Sequence, residues 1–385
     1  MLSEKSRPII EATLPLVGSR IGTITVDFYN RLFTAHTELL DGLFSRSNQR
    51  SGDQQRALAG SIAAFATHLI DNPGTLPEKV LSRIAHKHAS LGITEDQYGV
   101  VYEHLFAAIA ADLAEVITPE IAEAWTEVYW LMADALIKLE KDLYASQSNG
   151  KMWMPWRVTA KDPAGTDAMT FTLEPADDTP VTAAKPGQYV SVKVQLPDGL
   201  RQVRQYSLSG DTGTSRVFTT KLNDGGEVST ALHIGVEPGD ILEISNPYGE
   251  ISLREGDGPV ILASAGIGCT PAASILRALA QTGTGRQVMV LHAEKTMENW
   301  ALSGQMTADA AKIDAELQLW LESPQQGSKE GFMSLREVDL PADASLYLCG
   351  PLPFMKKIRD EAIDAGIPAT RIHYEVFGPD VWLAN

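Results

Sequence analysis

Cysteine is almost absent: Cys269 and Cys349 are the only two in 385 residues. Two cannot build a disulfide framework, and neither has the spacing of a metal site, so a stapled secreted scaffold is excluded and a reducing compartment is indicated. Clusters of Lys and Arg are also missing. Against a net charge of −17, no such cluster offsets the repulsion of a phosphate-covered surface, which argues against nucleic acid and anionic membranes as partners. No apolar run approaches the roughly 18 residues of a membrane span. The start, Met1-Leu2-Ser3-Glu4-Lys5, opens an amphipathic segment without the apolar core of a signal peptide. A soluble, cytoplasmic monomer without a transmembrane segment is expected.

What is present is enough for two or three domains, at about 150 residues each. Apolar residues make up 44% and charged ones 21%, so the chain is globular throughout. Up to about Tyr144 the pattern is helical, with Gly and Pro mostly confined to joints such as Asp71-Asn72-Pro73-Gly74 and Thr118-Pro119. Its last segment, Ile121 to Tyr144, reads as one long helix. Its apolar stripe of Tyr129, Met132, Ala133, Leu136 and Leu143 also carries Glu140, a residue that is costly to bury unless it has a partner. Alone, Glu140 reads equally well as a stripe-edge residue reaching solvent. Arg83-Ile84-Ala85-His86-Lys87-His88-Ala89 lies in a helix beginning near Pro77, and each histidine taken alone is an ordinary surface or core residue.

After the small polar stretch 145–150 the pattern changes to short β-type runs separated by Gly and Pro turns, the signature of a small barrel. Here stand Gly187-Gln188-Tyr189, Arg204-Gln205-Tyr206-Ser207, and Asp224-Gly225-Gly226-Glu227-Val228-Ser229-Thr230. A guanidinium fork pairs with phosphate oxygens and an aromatic face covers a planar ring, although Arg-x-Tyr-Ser alone is equally an unremarkable strand. From Pro259 to Ser264 a continuous apolar run reads as a strand buried on both faces of a parallel sheet. It leads into Ala265-Gly266-Ile267-Gly268-Cys269-Thr270-Pro271 and a helix from Ala272. That is the setting in which close backbone approach and a helix N-terminus hold a pyrophosphate. Further on come a predicted strand Gln287 to Leu291 followed by His292-Ala293-Glu294, the strand end Cys349-Gly350-Pro351, and Tyr374-Glu375-Val376-Phe377-Gly378-Pro379.

Taken together and in this order, the motifs resemble the flavohaemoglobins: a globin, residues 1–147, joined to a ferredoxin-reductase-like module. The fold expected is multidomain. An all-α globin is followed by a β-barrel FAD-binding domain, 151–256, and an α/β parallel-sheet NAD(P)H-binding domain, 257–385. The resemblance implies haem b, FAD and NADH or NADPH as cofactors, and nitric oxide dioxygenase activity with nitric oxide and dioxygen as substrates. It implies His88 as the iron ligand, Glu140 and Tyr98 as its tuning partners, Tyr29 and Gln54 as distal polar groups, and Phe44 and Leu58 as porphyrin contacts. Lys87 and Glu375 would meet between domains, although Lys87 is equally an ordinary solvated helix residue. The flavin would take Tyr189, Arg204, Gln205, Tyr206, Ser207, Gly226, Val228 and Ser229. The nicotinamide side would take Gly266, Ile267, Gly268, Cys269, Thr270, Pro271, Cys349 and Gly350, with Glu375, Val376, Phe377, Gly378 and Pro379 against the flavin. Val376 stands where the family often has Cys. By the dinucleotide-fold rule Glu294 leans towards NADH. A flavin belongs between a two-electron donor and a one-electron acceptor. A gas-sensing globin, and a haem-free NADH-dependent flavin reductase, are the alternatives.

Overall fold

In a computed structural model, residues 1–210, 213–341 and 343–378 are described, and the expected Pro379 contact lies outside them. The chain forms two compact units. Met1–Met152 with Pro197–Val203 belong to one, and Trp153–Leu196 with Arg204–Phe377 to the other.

The first unit is helical. Helix α1 spans Arg7–Ala35, α2 Arg46–Ser51, α3 Asp53–Asp71, α4 Glu78–Leu91, α5 Glu95–Asp112 and α6 Pro119–Ala145. Local chemistry sets the boundaries. The Ser45 side chain accepts from Asn48 N–H to start α2, and Gly52 turns left-handed (φ 74°) between α2 and α3. Thr94 and Gln97 form a reciprocal capping box at α5, and Pro119 stands at the start of α6 behind the Thr118 cap.

Pro15 is an exception to the prolines at joints and sits inside α1. The carbonyl it leaves without a partner is that of the exposed residue Glu11, where water can serve it. And α1 is, by length and composition, apolar enough to cross a membrane, contrary to the reading that no run comes close. Its buried residues Ile10, Val17, Ile21, Ile24, Phe28 and Leu32 share one face and pack mainly on α3 and α5, as a core helix does.

The strands lie in the two halves of the second unit, except that residues 201–203 of one strand group with the first. Strands β1 (Trp153–Pro163), β2 (Ala168–Pro175), β3 (Tyr189–Gln195), β4 (Arg201–Ser207), β5 (Arg216–Lys221) and, after the short helix α7 (Glu227–Thr230), β6 (Ile241–Ser245) form a sheet ordered β4-β3-β6-β1-β2-β5. A bridge between Leu208 and Phe218 joins its two ends, giving the expected barrel. The other half alternates β7 (Val260–Ala265), α8 (Cys269–Thr282), β8 (Val288–Glu294), α9 (Ser303–Lys312), β9 (Glu316–Leu321), β10 (Lys329–Glu330), β11 (Ser345–Cys349), α10 (Leu352–Asp364) and β12 (Ile372–Glu375). Its parallel sheet runs β10-β9-β8-β7-β11-β12. The chain therefore leaves β7 to one side and returns on the other, so the crevice at the carboxyl ends of β7 and β11 is a topological switch point. The halves are tied by Thr166 N–H to Glu298 O (2.9 Å) and Leu302 N–H to Ala164 O (3.0 Å). Strand β8 runs on through His292 to Glu294, beyond its predicted end at Leu291. Helix α8 starts at Cys269, not Ala272.

Candidate active site

In the helical unit, three side chains from three helices converge. His88 Nδ1 lies 2.8 Å from Glu140 Oε1 and 3.0 Å from the Tyr98 hydroxyl, which itself donates to Glu140 Oε1 at 2.6 Å. Glu140 is 2% exposed, so its charge is buried with two donors on one oxygen. Burial, then the adjacent Glu140 charge, pushes the Tyr98 phenol far above its ordinary pKa, so it stays a donor. With a carboxylate as acceptor, the His88 proton sits on Nδ1 and the Nε2 lone pair is left for a metal. Periodicity did not reveal a further support: the Tyr129 hydroxyl donates to the Tyr98 backbone carbonyl at 2.6 Å and so fixes α6 against α5.

Tyr29 is buried among Phe28, Phe33 and Phe44, with ring centroids 4.6, 5.5 and 6.0 Å away. Burial raises its pKa, and the neighbouring Gln54 side chain works against that shift. One turn on from Gln54, Leu58 is half-buried on the same face of α3 and packs on the core, as does Phe44. Lys87 precedes His88 on α4, and its carbonyl accepts from the Ser90 hydroxyl. A lone imidazole nitrogen, a buried phenol–amide pair and apolar neighbours form a donor set that fits an iron porphyrin with one protein ligand and an open position for a diatomic molecule.

In the barrel, Ser207 ends β4 with its hydroxyl buried and, among the described residues, without a hydrogen-bond partner. Such an orphan is costly unless a ligand completes it, as the edge of a flavin would. Tyr206 stacks one face on Phe218 (5.3 Å, 11°), which stacks on Phe171. Desolvation keeps the Tyr206 phenol protonated, and the positive charge of half-buried Arg204 works against that shift. Gln205 Nε2 donates to Ser191 Oγ at 2.8 Å, and Tyr189 exchanges backbone hydrogen bonds with Tyr248. Val228 and Ser229 are buried in α7. The Ser229 hydroxyl accepts from Asn223 N–H (3.1 Å) and lies 3.1 Å from Gly226 O. It therefore helps to shape its own loop. A Cβ on Gly226 would stand 2.6 Å from Ser229 Oγ.

At the switch point, Gly266 (φ 56°), Ile267 and Gly268 make one tight turn before Cys269, Thr270 and Pro271 open α8. A Cβ on Gly268 would lie 2.5 Å from the Cys349 carbonyl oxygen. Only glycine lets the turn close against Cys349-Gly350. Thr270 donates to the Ile267 carbonyl at 3.1 Å. Burial pushes the Cys269 thiol up to about 12 and Cys349 well above its ordinary range, so both are inert as nucleophiles. Glu375 pairs in register with Cys349. After it come Val376, half-exposed Phe377 and Gly378 (φ 108°). Glu294 Oε2 lies 3.9 Å from where a Gly266 Cβ would be, which puts the carboxylate at the glycine turn. A feature missed in the sequence is fully buried His292. Its Nδ1 is 2.9 Å from Ser264 Oγ, its ring stacks on Trp300 at 5.0 Å, and desolvation lowers its pKa to about 3.

These constellations define a globin joined to a flavin- and nicotinamide-dependent oxidoreductase. Family models match in the same order: Globin over 26–136, Oxidoreductase FAD-binding domain over 155–253, and Oxidoreductase NAD-binding domain over 262–360. The chain is 39% identical to the flavohemoprotein of Rhizobium meliloti, over 99% of this chain and 100% of that one. It is also 39% identical to the flavohemoprotein of Chromobacterium violaceum, over 98% of each. A crystal structure of flavohemoglobin from Malassezia yamatoensis with bound FAD and heme is 42% identical and superimposes with a TM-score of 0.94, covering 98% of this chain and 100% of that one. The FAD/NAD-binding domain of a nitric oxide dioxygenase from Vibrio cholerae is 32% identical, with a TM-score of 0.57, over 59% of this chain and 99% of its own. The chain belongs to the flavohemoprotein family.

Proposed function

We infer that this flavohemoprotein is a nitric oxide dioxygenase that draws electrons from a reduced nicotinamide through FAD and haem. The observation that carries the reading is the buried His88–Glu140–Tyr98 cluster, in one chain with the orphaned Ser207 hydroxyl and the Gly268–Cys349 turn. One nitric oxide, one dioxygen and one electron make one nitrate ion, so a hydride serves two turnovers. A flavin is the group that divides a hydride into single electrons. When bound, the haem supplies an iron centre at which the two gases combine.

The chain's own residues do the rest. His88 Nε2 would hold the iron, and Glu140 and Tyr98 would keep the Nδ1 proton engaged, which makes the imidazole a stronger donor. The Tyr29–Gln54 pair would orient a polarised diatomic by hydrogen bonds inside an apolar shell. Ser207 would hydrogen-bond the flavin edge, Tyr206 would cover its ring, and Arg204 would face its phosphates. Glu294, beside the glycine turn, favours a free ribose hydroxyl over a 2′-phosphate and so NADH.

Two complete reductase halves argue against a sensor, which needs no steady electron supply. The test is nitrate formation driven by NADH in the loaded, full-length protein. His88→Ala should abolish it while leaving flavin reduction intact, whereas a wild-type protein that reduces its flavin and forms no nitrate, with His88→Ala losing nothing, would return the reading to a haem-free flavin reductase.

A further inference from the structure

The segment from Glu298 to Gln305, between β8 and α9, holds both halves of the second unit. Towards the nicotinamide half, buried Trp300 stacks on His292 at 5.0 Å, and the Ala301 carbonyl accepts from the buried Cys269 thiol at 3.4 Å, at the first residue of α8. Towards the barrel, the Glu298 carbonyl accepts from the N–H (2.9 Å) and the hydroxyl (3.0 Å) of Thr166, and Leu302 N–H donates to the Ala164 carbonyl at 3.0 Å. Leu302 is left-handed, with φ 63°. A residue with a Cβ keeps that conformation only where its surroundings fix it, and such strain gathers at functional sites. One contact goes further. Near the start of α9, Gln305 Nε2 donates to the Ser209 carbonyl at 2.9 Å. Ser209 stands two residues beyond Ser207 and is fully buried. Its N–H donates to the Val217 carbonyl at 2.8 Å, and its hydroxyl lies 2.9 Å from that of Thr219. The backbone that Gln305 grips is therefore already fixed on the barrel, next to the end of the flavin motif.

We propose that Gln305 is a positioning residue for hydride transfer, which sets the nicotinamide half against the flavin-bearing end of β4 by holding the Ser209 carbonyl. This rests on the placement of flavin at Ser207 and nicotinamide at the glycine turn given above. The step moves one hydride, a proton with two electrons, from the reduced nicotinamide to the flavin, which takes a second proton from water. Reacting atoms must come within about 3–3.5 Å, and a misplacement of about 1 Å costs on the order of a hundredfold in rate. Each half holds its own cofactor, so the contacts between halves decide that distance. Gln305 acts through the backbone and not on a reacting atom.

Stopped-flow bleaching of the FAD-loaded, full-length protein by NADH, repeated with deuterium at the transferred position, reads the step directly. Gln305→Leu should slow bleaching at saturating NADH by about ten- to a hundredfold, with the slowed phase sensitive to deuterium. The half-saturating NADH concentration should stay within about twofold, since binding is not what is lost. If Gln305→Leu fails to fold, Gln305→Glu, which keeps the shape and removes the donor, should show the same slowing. Gln305→Lys, which can still donate, should recover most of the rate. Bleaching at the wild-type rate in a folded Gln305→Leu or Gln305→Glu, or equal slowing in Gln305→Lys, overturns the proposal. Weaker NADH binding with an unchanged limiting rate overturns it too. Wild-type protein that carries FAD and is not bleached by NADH overturns the functional reading instead, so the two failures are told apart.

Discussion

Glu140→Gln is the sharpest perturbation of the helical site, because it keeps shape and removes charge. Oε1 of Glu140 receives both the His88 Nδ1–H and the Tyr98 hydroxyl, at 2.8 and 2.6 Å, and the residue is 2% exposed. A hydrogen bond to a charged group contributes about 1.5–3 kcal/mol and a neutral one about 0.5–1.5, so each donor loses roughly 1–2 kcal/mol. At His88 the loss falls mainly on the state in which the imidazole is most electron-rich, which is the one that stabilises ferric iron. A difference of about 1.4 kcal/mol is tenfold in an equilibrium and about 59 mV for one electron. The iron potential of the loaded protein should therefore rise by about 60 mV. Spectroelectrochemical titration of the haem bands checks this, with a melting curve to show that the variant is folded. A folded variant with an unmoved potential would refute the claim that the carboxylate acts through His88.

Tyr29→Phe removes a buried hydroxyl that the Gln54 side chain engages, and losses of this kind cost about 1–3 kcal/mol. Dioxygen should dissociate roughly ten- to a hundredfold faster, as read by stopped flow. Ser207→Ala should leave stability within about 0.5 kcal/mol, since the hydroxyl bonds nothing in the described protein, yet slow flavin bleaching by NADH. Bleaching at the wild-type rate would remove Ser207 from the site. In Gly268→Ala the new methyl would meet the Cys349 carbonyl at 2.5 Å. The turn should open at a cost of about 1–3 kcal/mol, and NADH binding should weaken in calorimetry. Buried His292 titrates at about 3, against 6.5 when exposed. In that window the unfolded chain holds the proton and the folded one does not, so stability falls as pH drops through it, by roughly 1.4 kcal/mol per unit. Denaturant titrations of His292→Asn should show a shallower acid slope than wild type.

The sequence made some of this architecture readable and hid the rest for physical reasons. Helical periodicity and the glycine turns carried the fold class, because burial and backbone freedom leave their mark residue by residue. Glu140 was legible as a carboxylate on an apolar stripe, but Tyr129 was not, since its role is a hydroxyl reaching a backbone carbonyl one helix away. Strand β8 outran its predicted end because β7 and β9 keep pairing with it as far as Ala265 and Leu321, a property of its neighbours and not of its own residues. His292 stayed hidden for a similar reason: its partners Ser264 and Trp300 come together only in the sheet. Pro15 is tolerated inside α1 because the carbonyl it frees belongs to the exposed residue Glu11.

The most direct measurement of the central claim is the visible absorption spectrum of the full-length protein, kept anaerobic, before and after NADH, with nitrate assayed once both gases are admitted. The account predicts that the flavin bleaches, ferric haem bands then give way to ferrous ones, and nitrate accumulates at two per NADH consumed. Flavin bleaching with no haem band after haem supplementation would contradict it and leave a reductase of some other acceptor.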